Sequence, residues 1–296
     1  MIFTREQLKF DFGSARFNVG RPEERVFLAW VFNQFLYGEV TGIQCGHWLY
    51  QSPSLNAAQF IAKQATEELA HVRKILRILT LLNEKPAAPH WAVRFLATGA
   101  MGQTWGEHVT LEMALGEGLV LQAFYAMAET IDHPEIQKIL EQAVADEERH
   151  VAFGERECQL WLEKNPRDRT YLLAQAYLQQ AALRAFRRSL MKRLQREPWA
   201  RDHAVLNQFD AFYSKTVKMM DARVVAIGLS PRPIEEFTTA QWVLLLARFF
   251  ARKGFAWVSR PLKKIASKLT LGLFFKQRLL TDTYLGDPMV QREQRE

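Results

Sequence analysis

Apolar residues recur at helical spacing through most of the chain, in long runs separated by short clusters of proline, asparagine, serine and charged residues. Arg21-Pro22-Glu23-Glu24 puts proline and acids where a first helical turn favours them, which predicts a helix over about 22–49. Ser52 to Asn56 reads as a turn, and a second helix is expected over about 55–83. It stops before Pro86 and Pro89, because two prolines so close together cannot continue a helix. A stretch over 90–102 then crosses to a third helix over about 104–130, and Asp132-His133-Pro134 separates that from a fourth over 134–163. Two more helices are expected at about 169–195 and 202–228. The fold class is therefore all-α. The expected organisation is a strap over 1–21, four helices over 22–168, additional helices over 169–230 and a basic amphipathic helical extension over 231–296.

Two tetrads in this pattern have the same chemistry: Glu68-Leu69-Ala70-His71 and Glu147-Glu148-Arg149-His150, and no other Glu-x-x-His occurs. Residues three apart on an α-helix project from one face, so each pair can grip one cation. Glu39 lies one long helix and a turn before Glu68, and Glu117 lies equally far before Glu147, to within one position. Glu39, Glu68 and His71 thus recur as Glu117, Glu147 and His150 at a constant offset, again to within one position. That is the spacing of a helical hairpin that occurs twice. Four inward carboxylates would be costly without cations, and two divalent ions balance them. Iron or manganese suits mixed carboxylate and imidazole ligands.

On these six positions, residues 22–163 resemble the ferritin-like di-iron carboxylate superfamily. The resemblance implies a ferritin-like four-helix bundle with additional C-terminal helices. It also implies the ligands Glu39, Glu68, His71, Glu117, Glu147 and His150, around two Fe ions or a Mn/Fe pair. Glu112 competes for the third-helix position. On an α-helix it is turned about 140° from Glu117, so only one of the two can face the metals, and Glu117 has the better spacing. Similar acids in related proteins hold the ligand histidine of the opposite motif, so the resemblance implies Asp146 on His71 and Glu67 on His150; the alternative is that both are exposed acids on their helices. Gly38 and Gly42 around Glu39, and Gly116 and Gly118 around Glu117, imply room beside the metals, a local bulge or close helix packing. Tyr37, Tyr125 and Trp105 are candidate redox neighbours or core. Positions that mark particular branches are filled otherwise, with Ile75 where ribonucleotide reductase radical subunits have tyrosine and Ala143 where arylamine oxygenases have histidine.

The resemblance implies a di-iron oxidase or oxygenase with O2 as co-substrate, which hydroxylates, desaturates or cleaves an apolar substrate such as a fatty acyl chain, an aldehyde or an isoprenoid. The alternative is an iron-oxidising or peroxide-handling protein of ferritin or rubrerythrin type. The long continuation of the chain after the four helices, from 169 to 296, favours the enzyme.

Composition narrows the partners. Only Cys45 and Cys158 are present, too few for a rubredoxin module, so electrons are expected from an external ferredoxin or reductase. No uninterrupted apolar run is long enough to span a bilayer, and the N-terminus lacks the apolar core of a signal peptide. Both predict a cytoplasmic protein, peripheral to a membrane at most. Residues 237–281 hold nine Lys or Arg and no Asp or Glu, mixed with large apolar residues. That pattern suits an anionic membrane surface, an acidic carrier protein or docking on the helices themselves. A homodimer fits as well, and nucleic acid does not, because no recognised motif accompanies the charge.

Overall fold

A computed structural model of the protein describes residues 1–99 and 102–251, and the regular structure among them is helical, with no β-strand. α1, Arg5–Leu8, opens on a reciprocal cap: Thr4 Oγ1 accepts from the Gln7 N–H, while the Gln7 side chain accepts from the Thr4 N–H. α2, Pro22–Gly42, starts on its proline as expected but tightens into a 3-10 stretch over Ile43–Tyr50. α3, Leu55–Leu81, is capped by Ser54 and is followed by Asn83 in the left-handed region at φ 54°. α4, Trp91–Arg94, leads into a π turn over Phe95–Gly99.

The expected third helix has three parts: α5, Trp105–Glu107, a π-helical stretch over His108–Glu117, and α6, Gly118–Thr130. The apolar periodicity reads through it because both helix types bury a face; only the hydrogen-bond register differs. α7, Pro134–Lys164, and α8, Arg169–Leu194, match their expected spans. α9, Phe209–Ala226, begins later than expected, after two short 3-10 turns. Residues 239–251 are helical, and the rest of the expected basic extension lies outside the described residues.

α2 packs on α3, α3 on α7, and both α6 and the π stretch on α7. The N-terminal strap joins them, with Leu8, Phe12 and Phe17 buried and Phe17 bridged to Ile131. Two apolar clusters result. One holds Phe32, Leu36, Leu76, Ile78, Phe124 and Leu140; the other holds Trp48, Ile61, Val109, Met113, Phe153 and Cys158. Along each of the four long helical stretches one cluster gives way to the other. The level of that change is where Glu39, Glu68, His71, Glu117, Glu147 and His150 stand.

Candidate metal centre

The fold brings all six predicted residues together. The ligating atoms of Glu39, Glu68, His71 and Glu147 lie within 4.8 Å of one another, and so do those of Glu68, Glu117 and His150. His71 Nδ1 is 3.1 Å from Glu39 Oε2 and 3.1 Å from Glu147 Oε1. His150 Nδ1 is 3.4 Å from Glu68 Oε1, 3.7 Å from Glu147 Oε2 and 3.9 Å from Glu117 Oε2. The two tetrad glutamates thus sit between the imidazoles, each beside the histidine of the opposite motif. Glu39 and Glu117 flank them. Together these residues form a buried cluster that could hold metal.

Each ring is held from behind by the acid that the resemblance implies, and neither acid is left simply exposed. His71 Nε2 faces Asp146 Oδ2 at 3.1 Å, and His150 Nε2 faces Glu67 Oε2 at 2.8 Å. A carboxylate at Nε2 fixes its proton there, and in the neutral ring this leaves the Nδ1 lone pair directed into the cluster. Arg149 donates to both outer acids, to Glu67 at 2.8 Å and to Asp146 at 2.5 Å. Lys63 lies 3.3 Å from Glu67, and Lys74 lies 3.3 Å from Asp146.

The charge state follows from burial and mutual repulsion. Burial, reinforced by Glu39, Glu147 and Glu117, raises the Glu68 carboxyl well above its usual range. Burial does the same to Glu117, opposed by His150 and reinforced by Glu147, Glu39 and Glu112. At Glu147, burial pushes upward, but His150 and His71 prevail and hold it at about 2. The imidazoles rise despite burial, His71 to about 12 beside Glu147 and Glu39, and His150 to about 11 beside Glu147 and Glu67. Protons thus compensate the packed acids. Even so, Glu117 Oε2, Glu147 Oε2 and His150 Nδ1 are buried with no hydrogen-bond partner. Four carboxylates and two imidazoles, with three of their ligating atoms unpartnered, make a set of donors that could hold metal.

The third-helix ligand position differs from the α-helical reading. On a π-helix, residues at the spacing of Glu112 and Glu117 are joined by one hydrogen-bonded turn, so the two are not turned away from each other as expected. Both act electrostatically on Cys45, along with Glu68. Their partners separate them. Glu112 accepts from the Gly102 N–H at 2.5 Å and pairs with His108 Nδ1 at 2.7 Å, whereas Glu117 keeps one oxygen unpartnered in the cluster. Gln64 Nε2 donates to Glu117 Oε1 at 2.7 Å, a contact the sequence reading missed. Gln64 lies one turn before Glu68 on the same helix face, so the signal was present.

The glycines have separate reasons. A methyl group at Gly42 would overlap the Glu68 carboxylate, and one at Gly118 would overlap the Arg223 guanidinium. Gly38 meets nothing within 4 Å. Arg223 is itself a missed feature: buried, it donates from Nε to the buried Glu155 at 2.9 Å, and the Ile2 N–H donates to the same carboxylate at 2.6 Å. Tyr125 donates to Glu148 at 2.6 Å, and Arg5 donates to that carboxylate at 2.7 Å. Among the other histidines, His203 pairs with Glu24, His90 with Ser189, and His133 caps α7.

No helix among the described residues is long and apolar enough to cross a membrane. Compared with protein-family models, with curated proteins and with solved structures, the chain matches none.

Proposed function

We propose that the chain is an oxidoreductase of ferritin-like, four-helix-bundle architecture that binds two iron ions and uses O2 to oxidise an apolar organic substrate. The observation that carries this reading is the buried cluster itself, with donor atoms from Glu39, Glu68, His71, Glu117, Glu147 and His150 converging in two overlapping sets. Glu39, Glu68, His71 and Glu147 would hold one ion, and Glu68, Glu117 and His150 the other. Bound iron would supply the electron-transfer chemistry with dioxygen that protein side chains lack.

The residues around the ions have their own tasks. Asp146 and Glu67 hold the imidazoles by Nε2, so that Nδ1 faces the metal position, and Gln64 orients Glu117. Trp105, Val109 and Phe153 on one side, and Leu36, Leu121 and Phe124 on the other, exclude water. With two cysteines in the chain, electrons come from a separate donor.

The test begins with chelator-treated full-length protein, titrated anaerobically with ferrous ion. About two ions per chain should bind, and Glu68→Ala should lose at least one of them. Oxygen uptake should then rise with a fatty acyl, aldehyde or isoprenoid compound in proportion to an oxidised product. Failure to bind metal stoichiometrically refutes the centre. Repeated oxidation of excess ferrous ion with no organic product would make the chain an iron-handling protein instead.

A further inference from the structure

The helix over 239–251 is apolar on two opposite sides. Its inner side is anchored: Leu245 and Phe249 are buried, Trp242 stacks on Tyr177 at 3.8 Å, and Phe249 stacks on Tyr171 at 5.3 Å. On its outer side Val243, Leu244 and Phe250 are 62%, 54% and 60% exposed. At about 100° per residue these three, with Ala247, form one stripe facing away from Trp242, Leu245 and Phe249. A surface helix ordinarily turns polar residues outward, so an outward stripe of Val, Leu and Phe needs a covering phase.

Charge identifies that phase. Residues 237–281 carry nine Lys or Arg and no Asp or Glu, among them Arg248 on this helix and Arg252 and Lys253 immediately after it. A second copy docked through the same stripe would bring two such cationic segments together. Nucleic acid would satisfy the cations but would leave Val243, Leu244 and Phe250 against a polar backbone. A bilayer with anionic headgroups satisfies both, since apolar side chains enter the acyl boundary while cations stay at the phosphates.

We propose that the outer stripe of the 239–251 helix, Val243, Leu244 and Phe250 with Arg248 on the same helix, docks the protein on an anionic lipid surface. The helix lies on the membrane and does not cross it, because the opposite side is held by Tyr171 and Tyr177. The inference does not depend on metal, so chelator-treated protein should dock equally well.

The experiment is sedimentation of the full chain with vesicles of phosphatidylcholine alone, or with about a third phosphatidylglycerol. Binding should need the anionic lipid and should weaken in high salt. Phe250→Ser should lower the partition coefficient about tenfold, because one large apolar anchor is lost, whereas Phe250→Leu should retain most of it. Leu55→Ser, an exposed apolar position at the start of α3, serves as the control and should bind like wild type. Thermal melts of the Phe250 variants should match wild type, which separates lost docking from lost folding. Equal binding to neutral vesicles, or undiminished binding by Phe250→Ser, overturns the proposal. So does a concentration-dependent dimer that Phe250→Ser dissociates in the absence of lipid binding.

Discussion

Replacing Gly154 by alanine tests whether the π stretch and α7 fit as closely as the centre requires. Gly154 is buried on α7, one turn beyond His150. A methyl group there would lie 2.5 Å from Met113 Cβ, 2.7 Å from the Ala114 nitrogen and 3.0 Å from the Met113 carbonyl carbon, where ordinary contact begins at 3.4 Å. These are main-chain and Cβ atoms, so no rotamer change relieves the overlap, and the two helices must separate by about 1 Å. Overpacking of this kind costs about 1–3 kcal/mol, and alanine recovers about 1 kcal/mol of helix propensity. Taking the upper end for main-chain overlap, we expect a net loss of about 2 kcal/mol, or about 4–8 °C in Tm. Glu117 ends the displaced stretch, so ferrous affinity should fall about tenfold. Gly38→Ala is the contrasting control: with nothing within 4 Å, it should raise Tm through propensity alone. Calorimetry of both variants with an anaerobic ferrous titration decides the matter. Gly154→Ala melting as high as Gly38→Ala would refute the packing argument.

Arg223→Met leaves the buried Glu155 carboxylate with the Ile2 N–H and no cation, and should cost about 3–5 kcal/mol in urea unfolding; Arg223→Met with Glu155→Gln should recover most of it. Glu67 is lowered to about 2, because hydrogen bonds from His150 and Arg149 outweigh burial. Its folded pKa lies below its unfolded value, so its stabilisation is present above about pH 4.5 and is lost as pH falls towards 2; the stability difference between chelator-treated wild type and Glu67→Gln should shrink across that window. Since His71 and His150 are held protonated in the metal-free cluster, metal loading near neutral pH should acidify a weakly buffered solution, and an indicator dye that records no release would refute the charge assignment.

The chain order of the helices and the convergence of six side chains were legible because both depend on periodicity and spacing. Glu39, Glu68, Glu117 and Glu147 could be paired from equal offsets, whereas the contacts of Asp146 and Glu67 were suggested only by the resemblance, since an acid beside a motif glutamate can equally face solvent. The π stretch was legible only as the local bulge that Gly116 and Gly118 left open, and not in its length, since residues 108–117 bury a face in either register and no proline marks the change. That is why the angular separation of Glu112 and Glu117 was misjudged. The Arg223–Glu155 pair was hidden for another reason: its partners are far apart in the chain, and single charged residues on helices are ordinarily solvated. The helical boundaries at 43 and 209 shifted because tightening into 3-10 turns leaves the same residues facing inward.

Arg149 has no equivalent in the first motif, where Ala70 stands at that place. Two motifs that repeat are therefore joined by a residue that does not. Because its guanidinium touches both Glu67 and Asp146, a substitution at 149 changes the basicity of both imidazoles in the same sense. The two halves of the cluster cannot drift apart through that position. Lys63 and Lys74 each touch one outer acid, so a substitution at either acts on one half alone.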